Sequence, residues 1–351
     1  MNRTRAPWLL VLLCCCQLSG CYLVQSANGQ MELMQKRQPI SKVIADPATK
    51  PELKSRLQSV LEMRDFAVRE LALPDNGSYR SYADVGRPFV VWNVFAAPEF
   101  SVQPKQWCFP VAGCVVYRGY FSEDKARAFA AKLAKQGNDV FVGGVPAYST
   151  LGHFDDPVLS TMMTWSDVRV AAIMFHELTH QLVYVPGDTS FNEAFASVVE
   201  VEGVHRWLTT HHREAELAAF KAGRERQIRI SQLLDAGRKR LRTLYASGVD
   251  ASVMRDRKRA ELDSLVSDYQ ALIASWSGVD EHIAQDLNNA YLASVAAYEE
   301  CVPGLERLLA ESGNDLPLFY ERVKVLAREE QAARHREVCT ASTAVPQPSG
   351  P

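Results

Sequence analysis

Apolar side chains recur along this chain at two different periods, and the change of period divides it. Between Pro51 and Leu73, the residues Leu53, Leu57, Val60, Leu61, Phe66 and Leu71 follow helical spacing, which gathers them on one face. A similar pattern over Ala27 to Arg37 predicts a second helix in the same N-terminal layer. From Pro88 the pattern changes. Phe89 to Phe95, Val111 to Phe121 and Asp139 to Val145 are rich in Val, Phe and Tyr and bounded by Gly and Pro, which predicts a small sheet. One helix interrupts it, Ser122 to Gln136, with Ser122 as N-cap and Glu123 and Asp124 in the first turn, where acidic groups meet the positive end of the helix dipole.

Helical spacing returns at Asp167. Val168, Ala171, Ala172, Phe175, Leu178 and Leu182 predict a buried helix that runs to Val185 and is stopped by Pro186-Gly187. Beyond Phe191 nearly everything to Arg336 has a helical pattern, with Leu262, Leu265, Val266, Tyr269, Leu272, Ile273 and Trp276 as a clean apolar stripe. The stretch Thr340 to Pro351 is rich in Pro, Ser and Ala and predicts a disordered tail. The expected class is α+β, mostly helical with a small sheet ahead of the Asp167 helix. A single domain over 21–339 is expected, its sheet in about 88–165 and its helical part in 167–339.

Composition narrows the function classes. With 351 residues, 47% hydrophobic and 23% charged, the chain is an ordinary folded protein, neither disordered nor a multi-span membrane protein. Lys+Arg at 39 against Asp+Glu at 41 gives a net charge of −2, so no overall excess draws it to nucleic acid. Arg213 to Ala260 is a local exception, with 13 Lys/Arg against 6 Asp/Glu. The expected form is a solvated helical hairpin, and contact with anionic lipid or glycan is the functional alternative. No aromatic-interleaved groove accompanies the charge, so nucleic acid is not an expected partner.

Arg3 and Arg5 precede an apolar run, Pro7 to Cys16, too short to span a bilayer but suited to a secretory signal over 1–20. It ends in Leu18-Ser19-Gly20-Cys21, which resembles the bacterial lipobox and implies lipidation at Cys21, with the membrane reached through that lipid. Tyr22 stands after the Cys where an Asp would favour inner-membrane retention, so by analogy with bacterial sorting the outer membrane, facing the periplasm, is expected. Of 8 Cys, the signal holds Cys14, Cys15 and Cys16, and Cys21 is the lipid site. Cys108, Cys114, Cys301 and Cys339 remain, an even number in an oxidising compartment. Cys108 and Cys114 flank a turn-rich stretch and are expected to form a disulfide. Cys301 and Cys339 sit at the ends of two predicted helices, and a simple antiparallel hairpin would hold them apart, so their pairing is left open.

His176-Glu177-Leu178-Thr179-His180 is an H-E-x-x-H pentapeptide inside the Asp167 helix. Residues i and i+4 share a helical face, so His176 and His180 can offer two imidazoles to one ion, with Glu177 beside them as general base. A catalytic zinc site needs a third ligand. Glu193, in Asn192-Glu193-Ala194-Phe195-Ala196, can reach back across the Pro186-Gly187 turn, although Ser190 to Glu193 also fits a capping box that would occupy its carboxylate. His205, His211 and His212 are the alternative ligands, none with metzincin spacing.

H-E-L-T-H followed by N-E-A-F-A resembles the gluzincin metallopeptidases. That resemblance implies a zincin-like fold, one zinc ion per chain held by His176, His180 and Glu193, a peptide substrate, and supporting roles around the metal for Asn192 and Glu200. The lipobox, Gly29-Gln30, Cys108 to Phe121 and Pro146 to Pro157 together resemble a bacterial family of predicted aminopeptidases, over roughly Cys21 to Arg336. The G-x-M-E-N substrate motif of aminopeptidase N is absent, so exopeptidase action rests on the family likeness. An endopeptidase, or a non-catalytic zincin-fold envelope lipoprotein that binds peptides or a partner, stays open. A second electrophile for the carbonyl oxygen is expected among Tyr148, Tyr184, Tyr245, Tyr269, Tyr291 and Tyr298. Tyr148 to Gly152 is a candidate sheet edge for an extended peptide, or an internal strand.

Overall fold

A computed structural model of the chain describes residues 22, 24–109, 113–147, 149–276, 283–295 and 301–339. The signal, the Leu18 to Cys21 motif, Tyr148, Tyr298 and the 340–351 tail lie outside the described residues. No helix of the described residues is long and apolar enough to cross a membrane.

The N-terminal layer comprises helix α1 over 24–36, strand β1 (Gln38–Pro39), α2 (Ile40–Ala45) and α3 (Pro51–Arg69). There follow β2 (Ser81–Ala83), β3 (Val91–Pro98), β4 (Trp107–Phe109), β5 (Gly113–Val115), β6 (Arg118–Tyr120), α4 (Glu123–Ala134), β7 (Asn138–Val145) and β8 (Val158–Leu159). The rest is helical: α5 (Asp167–His180), α6 (Thr189–Thr210), α7 (Glu214–Tyr245), α8 (Ala251–Ile273), α9 (Ile283–Asp286), α10 (Asn289–Ser294), α11 (Val302–Glu311), α12 (Leu316–Ala327) and α13 (Gln331–Val338). The chain is thus mostly helical with small sheets, an α+β protein.

The main sheet has the order β6-β3-β7, antiparallel throughout, with Val91 opposite Val145 and Phe95 opposite Phe141. Alternation along the central strand sends Trp92, Val94 and Ala96 to one face, where they pack with Ala126, Ala130 and Leu133 of α4. Ser122 caps α4 as its position predicts, accepting from the Lys125 amide. On the opposite face Phe141 meets Tyr291 of α10 edge-on at 4.9 Å. That side forms a second core with the α7–α8 hairpin, centred on Leu234, Leu241, Leu265 and Tyr269. The excess charge of this hairpin is largely engaged, as in Arg240 with Glu261, Arg255 with Glu99 and Lys258 with Asp139.

The largest core joins the N-terminal layer to α5, α6, α11 and α12 through Leu57, Phe66, Phe175, Phe195, Leu305 and Phe319. Each such side chain contributes about 1.5–3 kcal/mol on burial. Gly203 of α6 permits this packing at one close point, since a Cβ there would overlap Leu71 and Phe175. Beside this core, β1, β2 and β8 form a minimal sheet, β1 antiparallel and β8 parallel to β2.

Two expectations are corrected. The run from Val111 to Phe121 is not one strand: within its described part, β5 pairs with β4 in a hairpin closed by the Cys108–Cys114 disulfide, whereas β6 joins β3, with a bend at Val116 between them. The Asp167 helix ends at His180 rather than Val185. Its last amides turn back in tight bonds, Gln181 to Leu178 and Leu182 to Thr179, while the Gln181 side chain leaves to bond Asn76 and Ser78.

Cys301 and Cys339 are bonded. An intervening helix, α12, brings the chain back so that the end of α13 lies at the start of α11. The approach is close enough that a Cβ on Gly304 would overlap the Val338 backbone.

Candidate metal centre

Ser166 starts α5 by accepting from the Arg169 amide. The helix turns Val170, Ala171, Met174, Phe175 and Leu178 inward, and this face fixes the rotation that sets His176 and His180 toward α6. The two rings lie edge to face, centroids 4.9 Å apart.

The beginning of α6 leaves the Glu193 carboxylate free of any capping role. Its cap is Asp188, whose side chain accepts from the Phe191 amide. The Ser190 capping box is therefore not formed: Ser190 already lies inside the helix, and the residue placed to complete a box with Asp188 is Phe191. The Glu193 carboxylate faces α5 instead, with Oε2 3.3 Å from Nε2 of His176 and Oε1 3.7 Å from Nε2 of His180. Asn192 holds the approach without touching the histidines. Its amide oxygen accepts from the Val185 amide and its amide nitrogen donates to the Val185 carbonyl, both at 2.8 Å, a two-point clamp on the connection between the helices.

Glu200, two turns along α6, binds the other ring nitrogen of His176, Nδ1, at 3.0 Å. Burial works to depress the His176 pKa, yet hydrogen bonds to Glu193 and Glu200 push it up to about 10. His180 is moved the other way, down to about 4, by burial and by the charge of His176. Glu193 is raised by burial, but His176 and His180 outweigh that and hold it below its ordinary value. Glu177 is raised by burial against the opposing charge of His176.

The ligand atoms of His176, His180 and Glu193 all lie within 4.8 Å of one another, so the group could hold a metal ion. Two imidazoles and one carboxylate are a three-ligand set suited to catalytic zinc, leaving a fourth position open. With Glu200 on its Nδ1, His176 turns Nε2 toward Glu193, an arrangement in which a carboxylate could support a ligand histidine. His205, His211 and His212 do not join the cluster. His211 packs at a tilt against Trp207, and His212 is exposed beside Glu214. Among the described residues a second group, Cys301, His335 and Cys339, has comparable spacing, but its two sulfurs are used in the disulfide.

The sequence pattern of the family described as "Putative aminopeptidase" matches residues 21–338. The chain belongs to that family. No match is found among curated proteins or solved structures. In this member of the aminopeptidase family, a cavity of about 640 Å³ opens from His176 and Glu193 toward α7, α10 and the start of α11.

The expected tyrosines divide sharply. Tyr291 lines this cavity, and Tyr184 has its ring 6.2 Å from that of His180. Tyr245 instead donates to Asn289, and Tyr269 is enclosed in the second core. Residues 149–152 form no strand, so a sheet edge there is not part of the structure. They turn around the buried Asp156 carboxylate, which accepts from the amide and hydroxyl of Thr150 and the hydroxyl of Ser149.

Two neighbours of Glu177 were given no role by the sequence. The Ser149 hydroxyl reaches its carboxylate as well as that of Asp156. Tyr79 is buried close enough for Glu177 and Asp156 to add to the upward push of burial on its phenol. Both lie in loops, where no helical or strand period places a side chain.

Proposed function

We propose that this protein is a zinc-dependent peptidase of gluzincin type with a zincin-like fold, an aminopeptidase held by lipid at Cys21 in the bacterial envelope. The supporting observation is the convergence of His176 Nε2 and His180 Nε2 on the Glu193 carboxylate, with Glu177 next in sequence to the first ligand. Family membership supports peptide as substrate, and the two disulfides agree with an oxidising compartment.

A bound zinc ion supplies a Lewis acid for the scissile carbonyl and makes water nucleophilic near neutral pH. Glu177, whose carboxyl is raised by its buried setting, takes the proton from the attacking water and returns it to the leaving amine. Ser149 holds that carboxylate in place. Glu200 keeps the His176 ring turned toward Glu193. Tyr184 or Tyr291 is placed to donate to the carbonyl oxygen as its charge develops.

Metal analysis of the purified mature chain, followed by a screen of free and N-blocked peptides, tests the reading. One zinc per chain is expected, lost in His180→Ala. Glu177→Gln should keep zinc and fold while hydrolysis falls by at least about 100-fold. A Glu177→Gln protein as active as the wild type would overturn the mechanism. Zinc-loaded wild type inert on every peptide would overturn the activity and favour a peptide-binding lipoprotein. Unchanged membrane partitioning of Cys21→Ser would remove the anchor.

A further inference from the structure

We propose that helix α1 lies flat on the bilayer that the Cys21 lipid enters, with Val24, Ala27 and Met31 seated in its interfacial layer, so that the body rests on a lipid surface and does not swing from a leash. The proposal rests on the reading of Cys21 as lipidated, and it adds a second contact and a defined face to that anchor.

Tyr22 follows Cys21 directly, and adjacent Cα atoms of a chain are about 3.8 Å apart. The Tyr22 ring is fastened to the body: the Arg118 guanidinium lies over it, 4.0 Å from the centroid, and Tyr120 meets it edge-on at 5.7 Å. The next turns are fastened as well. Gln25 donates to the Gly119 carbonyl at 3.1 Å and accepts from the Phe121 amide at 3.4 Å, and Gly29 lies so close to the Phe121 ring that a Cβ there would overlap it. No spacer separates a lipid on Cys21 from this fixed start, so the bilayer that receives the lipid lies against α1.

Helical spacing decides which side of α1 meets it. Gln25, Gly29 and Leu33 face the body, Leu33 inside the largest core. Val24 and Met31 share the opposite side, and at 58% and 59% exposure they are two of the three most exposed large apolar side chains among the described residues. Ala27, Asn28 and Gln35 complete this exposed stripe, which carries no charge. The flanking Glu32 is engaged by Lys36 and Arg87. A helix that faces water ordinarily sets charged groups on its outer side. An uncharged outer stripe with two large apolar residues, beginning beside an acyl chain, fits a membrane interface instead.

The test uses the lipidated mature protein on vesicles of phosphatidylethanolamine and phosphatidylglycerol, with a photoactivated carbene on part of the acyl chains. Adducts mapped by mass spectrometry should concentrate on residues 24–31. Val24→Glu combined with Met31→Glu should lower that labelling by about 10- to 100-fold, the effect of losing the burial of two such side chains, with the urea midpoint unchanged. Val325→Glu, at an equally exposed position on α12, should leave the labelling as it is.

If the adducts fall on another face, or none reaches α1, the proposal is overturned while the anchor stands, and the body hangs free of the membrane. Equal labelling of wild type and the double variant overturns it too. If the chain forms a dimer that the double variant dissolves, the stripe joins two copies and the proposal fails. If Cys21→Ser protein partitions as the wild type does, the anchor reading fails and takes this one with it.

Discussion

Arg334, on the last described helix, donates from Nε at 2.9 Å and Nη2 at 2.5 Å to the same oxygen of Asp188, the cap of the helix that carries Glu193. Both side chains are almost fully enclosed, at 3% and 2% exposure. His335 adds a contact to the other oxygen at 2.8 Å. One carboxylate thus ends α6 and binds α13, although 146 residues separate it from Arg334.

Removing one partner of such a pair leaves a buried charge without compensation, which costs about 3–5 kcal/mol. Arg334→Ala should therefore lower the urea midpoint strongly, and it should also weaken zinc retention because the start of α6 loses its hold. A variant that unfolds at the wild-type midpoint would show that the pair does not support this region.

The same carboxylate gives a pH dependence with a definite sign. Burial raises the Asp188 pKa, but hydrogen bonds from His335, Arg334 and the Phe191 amide outweigh it and hold the carboxyl below its ordinary value. In that case the unfolded chain binds more protons in the acid range. The stabilisation is full above the unfolded carboxyl pKa, about 4, and is lost as pH falls through the lower folded value. Asp188→Asn should flatten the acid limb of stability against pH, read as urea midpoints. An unchanged slope would assign that limb to other groups.

The two disulfides should not be equivalent. By loop-closure entropy, the Cys301–Cys339 link, with a separation of 38 residues, constrains the unfolded chain by about 4 kcal/mol. The Cys108–Cys114 link closes a separation of only 6 and contributes about 2 kcal/mol. Replacing the first pair with Ser should cost more stability and loosen zinc as well, since α13 carries both partners of Asp188. Equal midpoints for the two double-serine variants would contradict this ordering.

Glu200 and Ser149 should separate by readout. Glu200→Gln is expected to weaken zinc affinity by about 10- to 100-fold, the usual effect of a carboxylate behind a ligand histidine. Ser149→Ala should leave zinc bound and lower kcat by about 10-fold, because it loosens the proton carrier and not the ligands. Competitive chelator titration and steady-state kinetics distinguish the two; identical phenotypes would merge the roles.

Spacing alone brought out the two histidines, since i and i+4 share one face of a helix. Glu193 and Glu200 entered through the resemblance to the gluzincins, because spacing left a capping box and other histidines open. The Ser190 capping box that spacing left open for Glu193 is not formed, because Asp188 caps α6 and is held by Arg334 and His335. The end of the ligand helix was placed late because Leu182 continues the apolar spacing past a turn made by backbone bonds. Tyr79 and Ser149 lie in loops outside the two helices of the centre, and the strands β1, β2 and β8 are too short to show a period.

The Asp188 junction has a consequence in time. During synthesis the histidines, Glu193 and Glu200 all emerge long before residues 334 and 335 exist, so the helix that carries Glu193 begins life without its partners. A chain cut short before α13 would keep every ligand and lack the clamp at the start of α6. If the centre holds zinc as proposed, its retention should accordingly report on whether the far end of the chain has arrived, and copies truncated before α13 should be more open to proteolysis than whole ones.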